Sequence, residues 1–172
     1  MGRSDLPGEA VFSLHPDPDV ARAEAERLFA RVEEELRSLL SAPADIRHVG
    51  ATAVPGCLTK GDLDVVVRVE ADAFVEADRA LSVRFPRNDG SKRTDSFSAF
   101  EDSGVVPHLG IQLTVVGGAD DYFHLLADAL RRDPVLVDAY NALKVRFDGQ
   151  PMDTYREAKS AFIRDVLARQ DD

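Results

Sequence analysis

The chain has 172 residues with 31 acidic and 21 basic side chains, a formal net charge of −10. That length suits one domain with a real core, while the charge opposes bulk DNA or RNA binding, where Lys and Arg must neutralise phosphates. One cysteine, Cys57, excludes an internal disulfide and a cysteine-rich zinc site.

A nucleotide ligand stays compatible with the charge, because a bound metal or a local basic patch can reverse the field inside one cleft. No apolar run is long enough to cross a bilayer. The opening residues lack a signal-peptide apolar region. Gly2 invites myristoylation, but Leu6 stands where Ser or Thr is wanted. A cytoplasmic protein away from membranes is expected.

After a loose, Pro-rich opening, residues 19–40 carry Leu28, Val32, Leu36, Leu39 and Leu40 on one stripe, which predicts an amphipathic helix. Asp17 and Asp19 are its candidate caps. Residues 46–50 read as a short strand, 50–56 as a turn, and 63–69 (LDVVVRV) as a strand too apolar for a surface edge. A helix over 72–82, a polar loop over 85–95 and strands over 96–101 and 108–116 follow. Gly117-Gly118 stop the last strand. Three helices close the chain, over 120–133, from Pro134 to residue 147, and from near Asp153 onward. The pattern predicts an α+β fold in one domain spanning residues 1–172.

The sharpest feature is Asp62-Leu63-Asp64 at the mouth of the apolar strand. In a strand, residues two apart face the same side, about 6.6 Å apart. Two carboxylates held so closely repel unless a cation joins them. Mg²⁺ favours such oxygen ligands and completes its shell with water and substrate phosphate, and a two-metal transfer centre would use both acids. Upstream, Gly50-Ala51-Thr52 offers small residues whose backbone can approach a phosphate, and Lys60 could balance charge at the rim. Ordinary turn chemistry is the competing reading: Lys60-Gly61-Asp62 is a good turn, with Asp64 facing water.

The segment HVGATAVPGCLTKGDLDVVV resembles the signature of the GrpB-like family, a His-Ile-Gly-Ser-Thr-Ala-Val-Pro-Gly motif followed by a lysine and an aspartate opening an apolar strand. The likeness extends to HPDPDVARAEAERLF, HLGIQLTVV and the closing helices, and so covers most of residues 11–168. It implies a polymerase-β-like nucleotidyltransferase fold: a small mixed sheet, an N-terminal helix and a helical C-terminal cap. Carried over, it places Gly50, Ala51 and Thr52 on the phosphate turn, with Asp62 and Asp64 as the catalytic acids that hold Mg²⁺. Two departures stand out. Ala51 replaces the motif serine, and the later core strand offers Gln112 and Thr114 where the wider superfamily adds a third carboxylate. A neutral amide is a poor base and a weak Mg²⁺ ligand; Asp95 or Glu101 could substitute.

Lys144, Tyr155 and Lys159 are candidate nucleotide contacts. Tyr155 and Lys159 share a helical face, and Lys144 meets them if the last helices pack antiparallel. Triphosphate binding with base stacking is one reading; a solvated face with Tyr155 as packing is the other. His48 reads as a strand histidine fixing the turn, or as a phosphate contact. His108 and His124 lack partners at metal-ligand spacing, and Cys57 reads as a small turn residue. Lys92 and Arg93 are candidates for a phosphate-binding loop. The leading expectation is Mg²⁺-dependent transfer of a nucleoside monophosphate from a nucleoside triphosphate to an unidentified small-molecule or protein acceptor. The alternative is a catalytically weakened nucleotide- or partner-binding domain of the same fold. Oligomeric state is not legible.

Overall fold

Asp17 opens the first helix, α1 (Pro18–Leu39), accepting from the N–H groups of Asp19 and Val20 at 3.1 Å, with Pro18 in the first turn. The computed structural model describes residues 10–170, so Gly2 and Leu6 lie outside the described residues. Ala21, Ala25, Leu28, Val32 and Leu36 recur every three or four positions, and this stripe is the buried face of α1.

Four strands form one mixed sheet: β1 (Asp45–Val49), β2 (Leu63–Val69), β3 (Phe97–Asp102) and β4 (Leu109–Val115). Their order is β1-β2-β4-β3, with β2 antiparallel to β1 and parallel to β4, and β3 antiparallel to β4. The two interior strands are therefore β2 and β4, the two most apolar segments. Val65 and Val67 pack with α1 and with α2 (Phe74–Arg84), which follows a short 3-10 turn. Val66 faces the other way, with Val49 and Ala127. Cover on both faces is why β2 places Val65, Val66 and Val67 in succession.

The chain ends in three helices, α3 (Phe123–Arg132), α4 (Pro134–Phe147) and α5 (Met152–Gln170). Asp133 caps α4 through the N–H groups of Val135 and Leu136, and Pro134 supplies its first residue. The three helices share a core with Val54 and Cys57 from the turn after β1. The expected mixed sheet, with its N-terminal helix and helical C-terminal cap, is what forms.

The opening segment differs from the loose stretch expected. Phe12 N–H donates to Gln150 O at 2.9 Å, Gly149 N–H to Phe12 O at 2.8 Å, and Met152 N–H to Ala10 O at 2.7 Å. The Phe12 ring stacks on Tyr155 with centroids 3.7 Å apart. Residues 10–15 thus tie down the α4–α5 turn, through contacts no local pattern could announce.

Candidate functional site

Two glycines hold Asp64. Gly50, at the end of β1, has φ +76, and a Cβ there would lie 2.6 Å from Asp64 Oδ2. Gly110, opposite Asp64 in the β2–β4 register, would place a Cβ 3.0 Å from Oδ1. The slot fits a carboxylate only because both neighbours lack side chains. Among the described residues, no donor forms a hydrogen bond or ion pair with the Asp64 carboxylate. Burial raises its pKa; Lys159 opposes the rise and Asp62 adds to it.

Asp62 sits one residue ahead of β2, its Oδ2 3.0 Å from Lys60 Nζ. Asp62, Asp64, Ala51, Lys60 and Lys159 line a common small recess. Asp64 and Lys159 also line a larger cleft of about 390 Å³ between the sheet and the helical cap. Gly50 and Gln112 form part of its sheet side, Tyr122, Phe123 and Leu126 its α3 side, and Arg156, Lys159 and Ser160 its α5 side. The apolar walls with a few converging polar groups resemble a small-molecule site.

The turn after β1 is a 3-10 turn, Ala51–Ala53, closed by Ala53 N–H to Gly50 O and Val54 N–H to Ala51 O. The turn's own hydrogen bonds do not use the N–H groups of Ala51 and Thr52. The Thr52 hydroxyl is spent elsewhere. It donates to Asp62 O at 2.9 Å and lies 2.8 Å from His48 Nε2. With its proton on the Asp62 carbonyl, it accepts from His48, so Nε2 carries the hydrogen. Burial, helped by Arg131, lowers the imidazole pKa to about 4. His48 is thus the turn-fixing histidine, and Thr52 is a latch between the turn and β2, not a free phosphate ligand.

Lys144 is 1% exposed, so it does not lie on a solvated face, and with Tyr155 and Lys159 it lines the small recess that holds Asp62 and Asp64. Its Nζ donates to Leu58 O at 2.5 Å, lies 3.3 Å from Cys57 Sγ and stands 3.6 Å from the centre of the Tyr140 ring. Burial brings its pKa down to about 8. Tyr155 is buried against Phe12. Of these three candidates, Lys159 is the one that reaches the large cleft.

The possible substitutes for a third acid stand away from the cleft. Asp95 is exposed, and Glu101 lies 3.5 Å from His108. Gln112 does face the cleft, and its Oε1 is buried without a hydrogen-bond partner. Lys92 pairs with Asp120 at 2.5 Å and Arg93 with Asp78 at 3.2 Å. Arg156 and Ser160 escaped the sequence reading. Arg156 stands three residues before Lys159 and four before Ser160, and that helical spacing was the available signal.

The profile of the GrpB protein family matches residues 20–169. The chain belongs to the GrpB family. A UPF0157 protein of Vibrio cholerae is 34% identical over 152 residues, covering 88% of this chain and 80% of its own length. The crystal structure of the conserved protein GrpB from Enterococcus faecalis overlays with a TM-score of 0.65 at 17% identity, covering 86% of this chain and 95% of that one. That overlay shows a shared fold. Cid1 poly(U) polymerase with bound MgGTP overlays with a TM-score of 0.44 at 14% identity, covering 74% of this chain and 39% of that one.

For a GrpB-family chain the donor set at the cleft is simple. Asp62 and Asp64 supply hard carboxylate oxygens, and among the described residues no group of three or more His, Cys, Asp or Glu side chains converges as a metal cage. Such a pair fits Mg²⁺, which keeps several ligands from water and phosphate, better than it fits zinc.

Proposed function

We propose that the cleft binds a nucleoside triphosphate together with Mg²⁺, and that binding, more than rapid turnover, is its activity. One observation carries this reading: a half-buried carboxylate without a donor, Asp64, fitted between two glycines at a cleft that also receives Lys159. Asp62 and Asp64 would hold the metal, which would neutralise phosphate charge. Lys159 and Arg156 supply positive charge to the same phosphates from α5, and Lys60 supplies it at the rim. The Gly50–Ala51 backbone gives close approach. Tyr122 and Phe123, stacked with centroids 4.5 Å apart, give an aromatic wall for a base.

Nucleotidyl transfer to a small-molecule or protein acceptor is the second reading, favoured by Asp62 and Asp64 lining one recess. A transferase also needs a group to take the proton of the attacking hydroxyl. Among the described residues, Asp62 and Asp64 are the carboxylates lining the cleft and recess, and Gln112 cannot serve as that base.

Calorimetric titration of ATP, GTP, CTP and UTP with Mg²⁺ into wild type and Asp62→Asn/Asp64→Asn protein tests both. The expected result is metal-dependent binding by wild type, lost in the double variant, with no pyrophosphate released. Pyrophosphate release in the presence of an acceptor would replace the first reading with the second. Failure of every triphosphate to bind wild type overturns both.

A further inference from the structure

Beside the cleft lies a second recess, of about 210 Å³, built by the loop that joins α2 to β3. Ser91 lines both voids and is the wall they share. The loop is anchored rather than free. Asn88 N–H donates to Ala99 O at 2.9 Å and Glu101 N–H to Pro86 O at 3.0 Å, along the outer edge of β3. A turn closed by Ser91 N–H on Asn88 O at 3.1 Å, with Gly90 N–H on Asn88 Oδ1, sets its tip.

The polar groups around this recess are already half sorted. Arg87 grips Asp78 with both terminal nitrogens, at 2.9 and 2.8 Å. That pairing holds the Asp78 carboxyl down at about 2. Arg93 touches Asp78 through one nitrogen, at 3.2 Å, and its side chain is otherwise largely exposed. Lys92 reaches Asp120 with one of three ammonium hydrogens. Ser98, 1% exposed and also lining the recess, has a hydroxyl with no partner in normal hydrogen-bond geometry, although Asp78 is a neighbour. Asp89 also lines the recess, with its side chain exposed. Among the described residues, Asp78 and Asp120 are thus matched by cations, and Asp89 is an unpaired acid on the lining. Arg93 and Lys92 keep donors beyond their ion pairs, and Ser98 adds a buried hydroxyl. Unused donors converging from separate side chains call for an acceptor-rich tetrahedral anion.

We propose that this recess binds the phosphate group of a small molecule, with Arg93 and Ser98 as its ligands and Lys92 closing over it. That this molecule is the second ligand of the nucleotide cleft rests on the reading of the cleft given above. The recess itself does not.

Inorganic phosphate is the probe, followed by ³¹P line broadening on wild type, Arg93→Gln, Ser98→Ala and Asp62→Asn/Asp64→Asn protein. Broadening by wild type is expected, weakened roughly tenfold in Arg93→Gln as one charge-assisted contact is lost, and less in Ser98→Ala. It is expected to persist in the double aspartate variant. Magnesium and ATP titrated into the same four proteins report on the cleft separately. Phosphate binding that survives Arg93→Gln unchanged, or disappears with the two aspartates, or is absent from wild type overturns the proposal.

Discussion

Lys144 Nζ lies 2.5 Å from the carbonyl oxygen of Leu58, 86 residues away in sequence, and so pins α4 to the turn that follows the Gly50 motif. This ammonium is enclosed, and its charge is met by a carbonyl, a thiol and a tyrosine face instead of a carboxylate. Enclosing a charge with such partners destabilises its protonated form.

The stability of the fold should therefore respond to alkali. The folded pKa of Lys144, about 8, lies below its ordinary 10.5, so the folded state releases the proton first and gains stability as pH rises between those values. The full gain is about 3 kcal/mol. Tyr140 and Tyr155, whose pKa values burial raises, would reverse the trend above pH ~10, where unfolded tyrosines ionise. Urea midpoints measured from pH 7 to 10 should climb for wild type and stay flat for Lys144→Met. Parallel curves for the two proteins would show that the ammonium is not enclosed.

His48 gives the opposite test, on the acid side. Its folded pKa of about 4 lies below the ordinary 6.5, so protonation favours the unfolded chain. The contribution of neutral His48 is fully present above pH ~6.5 and is lost as pH falls towards 4, by up to about 3 kcal/mol. His48→Gln retains a donor for Thr52 but cannot titrate. Its chemical-denaturation midpoint should fall less than that of wild type between pH 6.5 and 4.5. Equal falls would mean the imidazole is free to charge in the fold.

Gly110 should separate folding from ligand binding. Alanine there brings a methyl 3.0 Å from Asp64 Oδ1 and 3.5 Å from Gln112 Nε2, with no positive φ to strain. The expected cost is about 1–2 kcal/mol of overpacking, while Mg²⁺-dependent nucleotide affinity drops roughly tenfold or more as the carboxylate shifts. Gly50→Ala adds a left-handed backbone penalty of about 1–2 kcal/mol to a closer clash. Urea unfolding beside calorimetry reads both quantities. Unaltered affinity in Gly110→Ala would remove Asp64 from the ligand site.

Much of this was legible along the chain. Leu63–Val69 announced an interior strand because its valines had to be covered on both faces, and Asp133-Pro134 marked the start of α4 because cap and ring chemistry are local. The closeness of Asp64 to a small turn was also foreseeable, from a motif. The Thr52 and Lys144 side chains were not. Each is claimed by a partner that only the folded chain brings near: the Asp62 carbonyl for one, the Leu58 carbonyl for the other. Helical spacing placed Tyr155 and Lys159 on one face, yet it could not say that Phe12 would cover the first and leave the second at the cleft.

The stacking of Phe12 on Tyr155 makes the roof of the cleft a splinted beam whose brace comes from a segment more than 140 residues away in sequence. Helix α5 carries Arg156, Lys159 and Ser160, and its first turn is gripped by residues 10–12. Because the His15 N–H of the same segment donates to Thr59 O, one short strap ties the helix of the cations to the turn that leads to the aspartates.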